Sequence, residues 1–436
     1  MERGMVAIVK PTNSCNLACT YCYTSPTAHR GFMTTETMRN IVTKVTRFNG
    51  RNRESHFVWH GGEPTLAGQG FYEDVIAAER KLLDEGYHIV NNMMTNATNL
   101  TTDFARFLLK NGFALATSID GTAFYHNQTR HTPAGEGTFD QVLKTVKLLQ
   151  EAGQRIGAIV VLNGMNLDGL DETYEFYRDQ NIEMKINAVF RAGSARGNWD
   201  RISLTPRQYG EALNHIFDRW IIDERATIEV EPVINMMRML LVDRPEECVH
   251  EQACQEYFMS VDPLGNVYPC GRFDGIARFR YGNVNTQQIE DILRSPIRDE
   301  LLHRSEGLNG CNECDYGHIC YGGCMENAFN DDDVMKKDPY CATYKMVFGH
   351  ISDFLRDALA GTAPLPETTR DKIVNVLGQT VAVEHVDNAK LRKVLSNIAT
   401  EQIEIHDYGP EWGWKEYRRY ADYHRYGDYS EYRESR

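Results

Sequence analysis

Three things are scarce in this chain, and each scarcity sets a class of protein aside. No apolar run approaches the roughly 20 residues that cross a bilayer, so no membrane partner is expected. Positive charge is short: 47 Lys and Arg against 61 Asp and Glu leave a net charge of −14, which is not the basic balance of a nucleic-acid binder. The N-terminus has no signal-peptide core, because the short apolar run Val6–Val9 leads straight into a cysteine-bearing loop, so a cytoplasmic location is expected. What remains is ordinary globular material, 436 residues with 42% hydrophobic content, enough for two or more domains. Cysteine is the exception. Eleven thiols without an export signal belong to a reducing compartment, where metal ligands outnumber disulfides.

Three of them, Cys15, Cys19 and Cys22, fall within eight residues on one loop. Thiolates are the soft ligands that iron–sulfur clusters take. A run this tight gives three ligands to a group of four irons and leaves the fourth iron open, as catalytic metal sites do. A disulfide with a spare thiol, or a zinc knuckle, is the alternative. Zinc prefers four ligands in two paired halves, yet the next cysteine is Cys248. The other eight are Cys248, Cys254, Cys270, Cys311, Cys314, Cys320, Cys324 and Cys341, with Gly322-Gly323 before Cys324. Eight thiols can complete two four-coordinate sites, either iron–sulfur or a pair of zinc ribbons.

Between these sets the chain alternates β-rich and amphipathic runs. Strands are expected at Val6–Val9, His56–His60, Ile89–Thr95, Leu115–Ile119, Ile156–Leu162 and Met184–Val189. Helices are expected at Thr35–Phe48, Gly70–Glu85, Asp103–Lys110, Phe139–Ala152 and Asp171–Arg178. This βα alternation predicts an α/β fold with a parallel sheet, in which sites lie at the C-terminal ends of strands. Met259–Cys270 reads as a β-hairpin turning at Pro263–Asn266, and a short helix is expected near Ile289–Arg294. Cysteine loops with so little apolar surface are expected to depend on their metal for folding. Tyr344–Leu359 and Ala389–Glu401 read as helices, joined across a linker at Thr362–Pro366.

The C-x3-C-x2-C run, with the aromatic Tyr21 before its last cysteine, resembles the radical S-adenosylmethionine (SAM) enzymes, and the resemblance extends from Met1 to about Lys345. It implies a partial (β/α)6 TIM-like radical SAM barrel over 1–235, with a [4Fe–4S] cluster on Cys15, Cys19 and Cys22 that binds SAM. Trp59-His60-Gly61-Gly62-Glu63-Pro64 resembles the GGEP motif of that family, so Gly61, Gly62 and Glu63 are expected to hold the amino group of SAM. Tyr21, Asn96, Ser118, Asp120 and Arg130 are further expected SAM-site residues, Arg130 through the SAM carboxylate, and Asn163 resembles another contact. The spacing C-x2-C-x5-C-x3-C resembles the SPASM extension, a small Cys-rich α+β domain expected over 236–350. Its interleaved ligation would give one auxiliary [4Fe–4S] cluster to Cys248, Cys254, Cys270 and Cys324. The other would go to Cys311, Cys314, Cys320 and Cys341, making three clusters in all. Such clusters imply an oxygen-poor setting and a low-potential electron donor such as flavodoxin or ferredoxin.

A helical C-terminal segment is expected over 351–405 and a disordered tail over 406–436. From Trp412 to Arg436 there is no Leu, Ile, Val, Met or Phe, yet eight aromatics occur, at every third residue from Trp414 onward. That period fits neither helix nor strand. The resemblance implies an enzyme that modifies a peptide or protein substrate by hydrogen abstraction. Oxidative crosslinking of a ribosomal peptide is the leading expectation; the aromatic-x-x triplets of the tail resemble targets of cyclophane-forming maturases, and the tail is read either as a substrate carried in cis or as an element that packs on the barrel or a partner. Maturation of a sulfatase is the alternative. In that group an acid follows the cysteine equivalent to Cys270, where this chain has Gly271 and the nearest downstream acid is Asp274. An iron–sulfur electron carrier without SAM chemistry is the reading from a different class.

Overall fold

A computed structural model describes residues 2–331, 333–359 and 366–383. The first half lays down β1 (Glu2–Thr12), α1 (Thr35–Asn49), β2 (Arg53–Gly61), α2 (Gln69–Asp84), β3 (His88–Met94), α3 (Thr102–Lys110) and β4 (Phe113–Ser118). It continues through α4 (Ala123–Thr129), α5 (Phe139–Glu151), β5 (Gly157–Leu162), α6 (Leu170–Asp179) and β6 (Glu183–Ala188). Each of the six expected strands is present, and all pair in parallel with their sequence neighbours. Local chemistry sets the helix starts: the Thr34 hydroxyl caps α1 by accepting from Thr37 N–H, and Thr101 caps α3 the same way. α7 (Ala195–Ile202), α8 (Pro206–Ile222), the two-residue β7 (Val230–Glu231) and α9 (Val233–Val242) then close this half. α8 carries a full capping box, Thr205 with Gln208, and a proline at its first turn.

The hairpin β8 (Phe258–Val261) and β9 (Asn266–Tyr268) appears as read, followed by β10 (Gly282–Asn283) and the short helices α10 (Ile289–Ile292) to α13. Of these, α11 is Pro296–Leu302, α12 is Gly317–Cys320 and α13 is Met325–Asn330. The hairpin's placement was not legible. β8 pairs in parallel with β1, from Val6↔Phe258 to Val9↔Val261, so the sheet runs β10-β9-β8-β1-β2-β3-β4-β5-β6-β7. α14 (Cys341–Leu359) then packs back on α8 and α9, and α15 (Glu367–Val383) covers the same pair. The expected boundary at 235 falls inside α9, and the one at 350 falls inside α14. The helix read at Ala389–Glu401 and the Tyr-rich tail lie outside the described residues.

Burial alternates along the strands. On β2, Phe57 and Trp59 are fully buried against the helices, where Trp59 meets Phe71 and Tyr72 edge-on. The opposite residues, such as His60, Met94, Ser118, Val161 and Lys185, keep partial exposure. The concave face of the sheet is therefore a partly open lumen rather than a filled core.

Under α2, Glu79 is 5% exposed and both its oxygens accept from Asn91 Nδ2 at 3.0 Å, while Asn91 Oδ1 accepts from Trp59 Nε1. Burial pushes the Glu79 carboxyl up to about 7. An acid raised in the fold binds its proton more tightly folded than unfolded. Its contribution is therefore intact below the unfolded value and is lost as pH climbs through about 7. Glu79→Gln should remove roughly 3 kcal/mol of pH-dependent destabilisation between pH 5 and pH 8. The check is thermal unfolding of both proteins across that range; parallel stability–pH curves would defeat the assignment.

Candidate functional site

The loop after β1 carries Cys15, Cys19 and Cys22, and three other segments hold its backbone. Gly62 N–H donates to Thr12 O and Glu63 N–H to Ser14 O, so the glycine pair grips the loop's stem. Thr20 N–H and Ala18 N–H donate to Thr129 O and His131 O beyond α4. After β6, Ser194 N–H donates to Cys22 O, and Asn198 Nδ2 donates to Thr20 O. A side chain at Gly62 would lie 2.2 Å from Ser14 O and 2.5 Å from Asn13 O, both backbone atoms that cannot step aside. Gly62→Ala should therefore displace the cysteine loop and cost at least about tenfold in SAM affinity, roughly 1.4 kcal/mol. Equilibrium dialysis measures it, and wild-type affinity in the variant would refute this role.

Glu63 was expected at the amino group of SAM. It is fully buried, and its carboxylate accepts from Thr65 N, Thr65 Oγ1, Thr95 Oγ1 and Asn96 N at 2.6–3.0 Å. It ties the turn after β2 to the end of β3. That tie positions Asn96, whose Nδ2 lies 3.6 Å from Cys15 Sγ and 2.8 Å from Asn16 Oδ1. Leu17 N–H also points at Cys15 Sγ, at 3.4 Å.

Arg130 is likewise turned inward. Its Nη1 donates to Tyr21 Oη at 2.9 Å, and Tyr21 donates on to Asp120 Oδ2 at 2.6 Å. Asp120 is fully buried and also accepts from Thr129 Oγ1 and Val161 N. Burial pushes the Asp120 carboxyl up, while the Arg130 guanidinium pulls it back down. Arg130, expected at the SAM carboxylate, thus belongs to an internal charge network that braces Tyr21 inside the cysteine loop. Beside it His126, pushed down to about 3 by burial and by Arg130, is neutral. Its Nδ1 accepts from Asp120 N–H, which leaves the Nε2 proton for Thr138 Oγ1. Asn163 closes its own turn, donating to Val161 O and accepting from Met165 N. Ser118 stands half-buried at the lumen end of β4, where it was expected.

All eleven cysteines are free thiols. They sort into three groups by the charge each feels from its neighbours. Cys19 is pushed up to about 12 by burial, with Cys22 and Cys15 adding. Cys254 is raised by burial, then by Cys248, Cys270 and Cys324. Cys341 is raised by burial and by Cys311 and Cys314, against the pull of Lys337 and Lys345. Cys311, Cys314, Cys320 and Cys341 together line one cavity, with Tyr316, Tyr344 and the two lysines. The thiols that feel one another's charge are those that the family resemblance groups, while among the described residues no three His, Cys, Asp or Glu side chains are placed to hold a single metal ion.

Several supporting residues were missed. Lys10, 1% exposed, donates to Gly271 O at 2.6 Å and pairs with Asp274 at 3.1 Å. A lysine directly after the apolar run Val6–Val9 was its signal. His60, pushed down to about 4 by burial and by Lys10, accepts from Gly61 N–H at 2.7 Å. Asp338 gathers Cys324 N, Asn327, Tyr340 N and Tyr344, and Arg304 donates to Val334 O and Gly323 O. The cysteine loops therefore hold polar staples of their own.

Residues 9–177 match the radical SAM superfamily, and residues 253–315 match SPASM, an iron–sulfur cluster-binding domain. The chain carries a radical SAM domain and a SPASM domain, and these imply [4Fe–4S] clusters and SAM as its cofactors. Among its relatives is the cysteine-type anaerobic sulfatase-maturating enzyme of Clostridium perfringens, 27% identical over 354 residues, covering 78% of this chain and 94% of the relative. The serine-type enzyme of Bacteroides thetaiotaomicron is 24% identical over 380 residues, covering 81% and 91%. The structure of anSMEcpe with bound AdoMet superposes at a TM-score of 0.73, with 24% identity over 80% of this chain and 97% of the other. Streptococcus suis SuiB bound to its precursor peptide SuiA gives 0.58, with 16% identity over 77% and 75%. These two likenesses establish the fold. Among the described residues no helix is long and apolar enough to cross a membrane.

Proposed function

We infer that this protein oxidises a side chain of a peptide or protein substrate held in the barrel lumen, in the manner of a maturase. The carrying observation is the partly open face of β2–β6, flanked at one end by the Cys15/Cys19/Cys22 loop. The cysteine triad would hold a cluster with SAM, and together these supply a 5′-deoxyadenosyl radical that removes a hydrogen atom from the substrate. The chain's own residues do the positioning. Gly61 and Gly62 fix the loop, and Asn96 and Leu17 N–H orient Cys15. The Tyr21–Asp120–Arg130 network keeps the loop rigid, and Ser118 offers a hydroxyl to the lumen. Low-potential electrons would come from a carrier of the flavodoxin or ferredoxin kind.

The two curated relatives described above are sulfatase-maturating enzymes, which supports oxidation of a Cys or Ser in a protein substrate over crosslinking. A second reading, crosslinking of aromatic-x-x triplets, is favoured by Gly271. A side chain there would sit 3.3 Å from Lys10 Cε, so this wall carries a lysine–aspartate pair and no acid directly after Cys270. One experiment separates the two. The reduced enzyme is incubated anaerobically with SAM and either a Cys- or Ser-bearing sulfatase peptide or its own Trp412–Arg436 segment. An aldehyde trapped by a hydrazide in the first supports side-chain oxidation. Loss of two hydrogens per Tyr triplet in the second supports crosslinking. SAM left intact in both would reject the inferred function.

A further inference from the structure

Arg272 lies between the barrel and the first auxiliary thiol group and serves neither the SAM loop nor the lumen wall. Its guanidinium lies 4.2 Å from the centre of the Phe190 ring, just beyond β6. Its Nη1 donates to Asn327 Oδ1 at 3.0 Å, lies 4.0 Å from Cys324 Sγ and is 3.6 Å from the buried Glu326 carboxylate. The side chain is packed among these groups and keeps 27% of its surface. On the other side of Phe190, at 6.0 Å between ring centres, is Tyr23, which directly follows Cys22. A packed series Tyr23–Phe190–Arg272 therefore joins the two thiol sets. Arg272 is also the cation that pulls the Cys324 and Cys270 thiols down against burial.

A fixed positive charge beside a thiolate-ligated group favours whichever state of that group is more negative, and N–H donors aimed at the sulfurs act in the same sense. Reduction of a cluster adds one negative charge. We propose that Arg272 tunes the auxiliary cluster held by Cys248, Cys254, Cys270 and Cys324, raising its reduction potential above what burial alone would set. Arg272 is thus a positioning residue acting through Cys324, not one that touches substrate. The inference rests on the reading that these four cysteines hold a cluster. Iron and sulfide content of the wild-type protein, and their fall in Cys254→Ala, test that reading before any potential is measured.

The decisive experiment is a redox titration of the reconstituted full-length protein, followed by electron paramagnetic resonance, in wild type, Arg272→Met, Arg272→Gln and Arg272→Lys. In Arg272→Met the cluster that Cys254→Ala removes should show at least a tenfold lower reduced-to-oxidised ratio at a fixed potential, about 59 mV for a one-electron couple. The SAM-responsive signal of the triad cluster should stay in place. Arg272→Lys, which keeps the charge, should lie nearer wild type than Arg272→Met. Should Arg272→Met fail to hold iron, Arg272→Gln, which keeps the N–H donors and loses the charge, decides by the same shift. An unshifted potential with full iron content in the charge-removing variant overturns the proposal. Absence of that cluster from the wild-type protein overturns it together with the reading beneath it.

Discussion

Replacing Cys15, Cys19 and Cys22 with alanine should abolish SAM cleavage, by on the order of 10³-fold or more, while leaving the protein folded with about two-thirds of its iron. The reason lies in how the loop is held. Its backbone is gripped by Gly62, Glu63, Thr129, His131 and Ser194, none of which needs the thiols. The loop should therefore survive as a shape without its cluster. The check is production of 5′-deoxyadenosine beside an iron assay. Residual cleavage above background would mean that another thiol group binds SAM, and loss of all iron would mean that the three sites assemble as one.

The opposite behaviour is expected in the SPASM half. Cys320→Ala should remove the cluster lined by Cys311, Cys314 and Cys341 and destabilise residues 311–341 by several kcal/mol. Cys320 is buried beside Ile319, and the loops around it are irregular apart from the short helices α12 and α13. Asp338 and Arg304 staple these loops, but each staple relies on the surrounding chain already being in place. Burial raises the Cys320, Cys311 and Cys341 thiols, so loading must expel protons, and a protonated empty site has little left to hold it together. Limited proteolysis should cut the variant within 311–341 while the barrel stays whole. A protease-resistant variant lacking the second auxiliary cluster would show that the polar staples suffice.

Six strands and five helices were legible in the sequence because each shows a clean period within its own ten to fifteen residues. β7 was not, since two residues carry no period, and α15 was not, because the apolar residues of Glu367–Val383 are spread around the helix rather than gathered in one stripe. The N-terminal cysteine triad was legible from its spacing, whereas the division of the other eight thiols into two sets came only from the family resemblance. Their supporting residues were not legible. Lys10 meets Asp274 and Gly271, and Asn13 meets Asp274, each across about 260 residues of chain, so nothing local marks them. Glu63 and Arg130 were read as SAM contacts, and their internal partners, Thr65, Thr95 and Asn96 for Glu63 and Tyr21 for Arg130, had no mark in the sequence. A carboxylate or guanidinium in a motif looks the same in sequence whether it points outward or is consumed by its neighbours.

The parallel ladder between β1 and β8 has a further consequence. The strand that ends in the catalytic cysteine loop and the hairpin that delivers Cys270 are hydrogen-bonded side by side, so the separation of their metal groups is fixed by sheet register rather than by a linker. A slip of one residue would shift that separation by about 3.3 Å and turn Ser260 from one face of the sheet to the other. Electron hops weaken steeply with distance, so the pairing acts as a built-in ruler. The SPASM half is accordingly a poor candidate for exchange between relatives: a graft that keeps every cysteine but misaligns Phe258–Val261 against Val6–Val9 would carry all its metal and still stall.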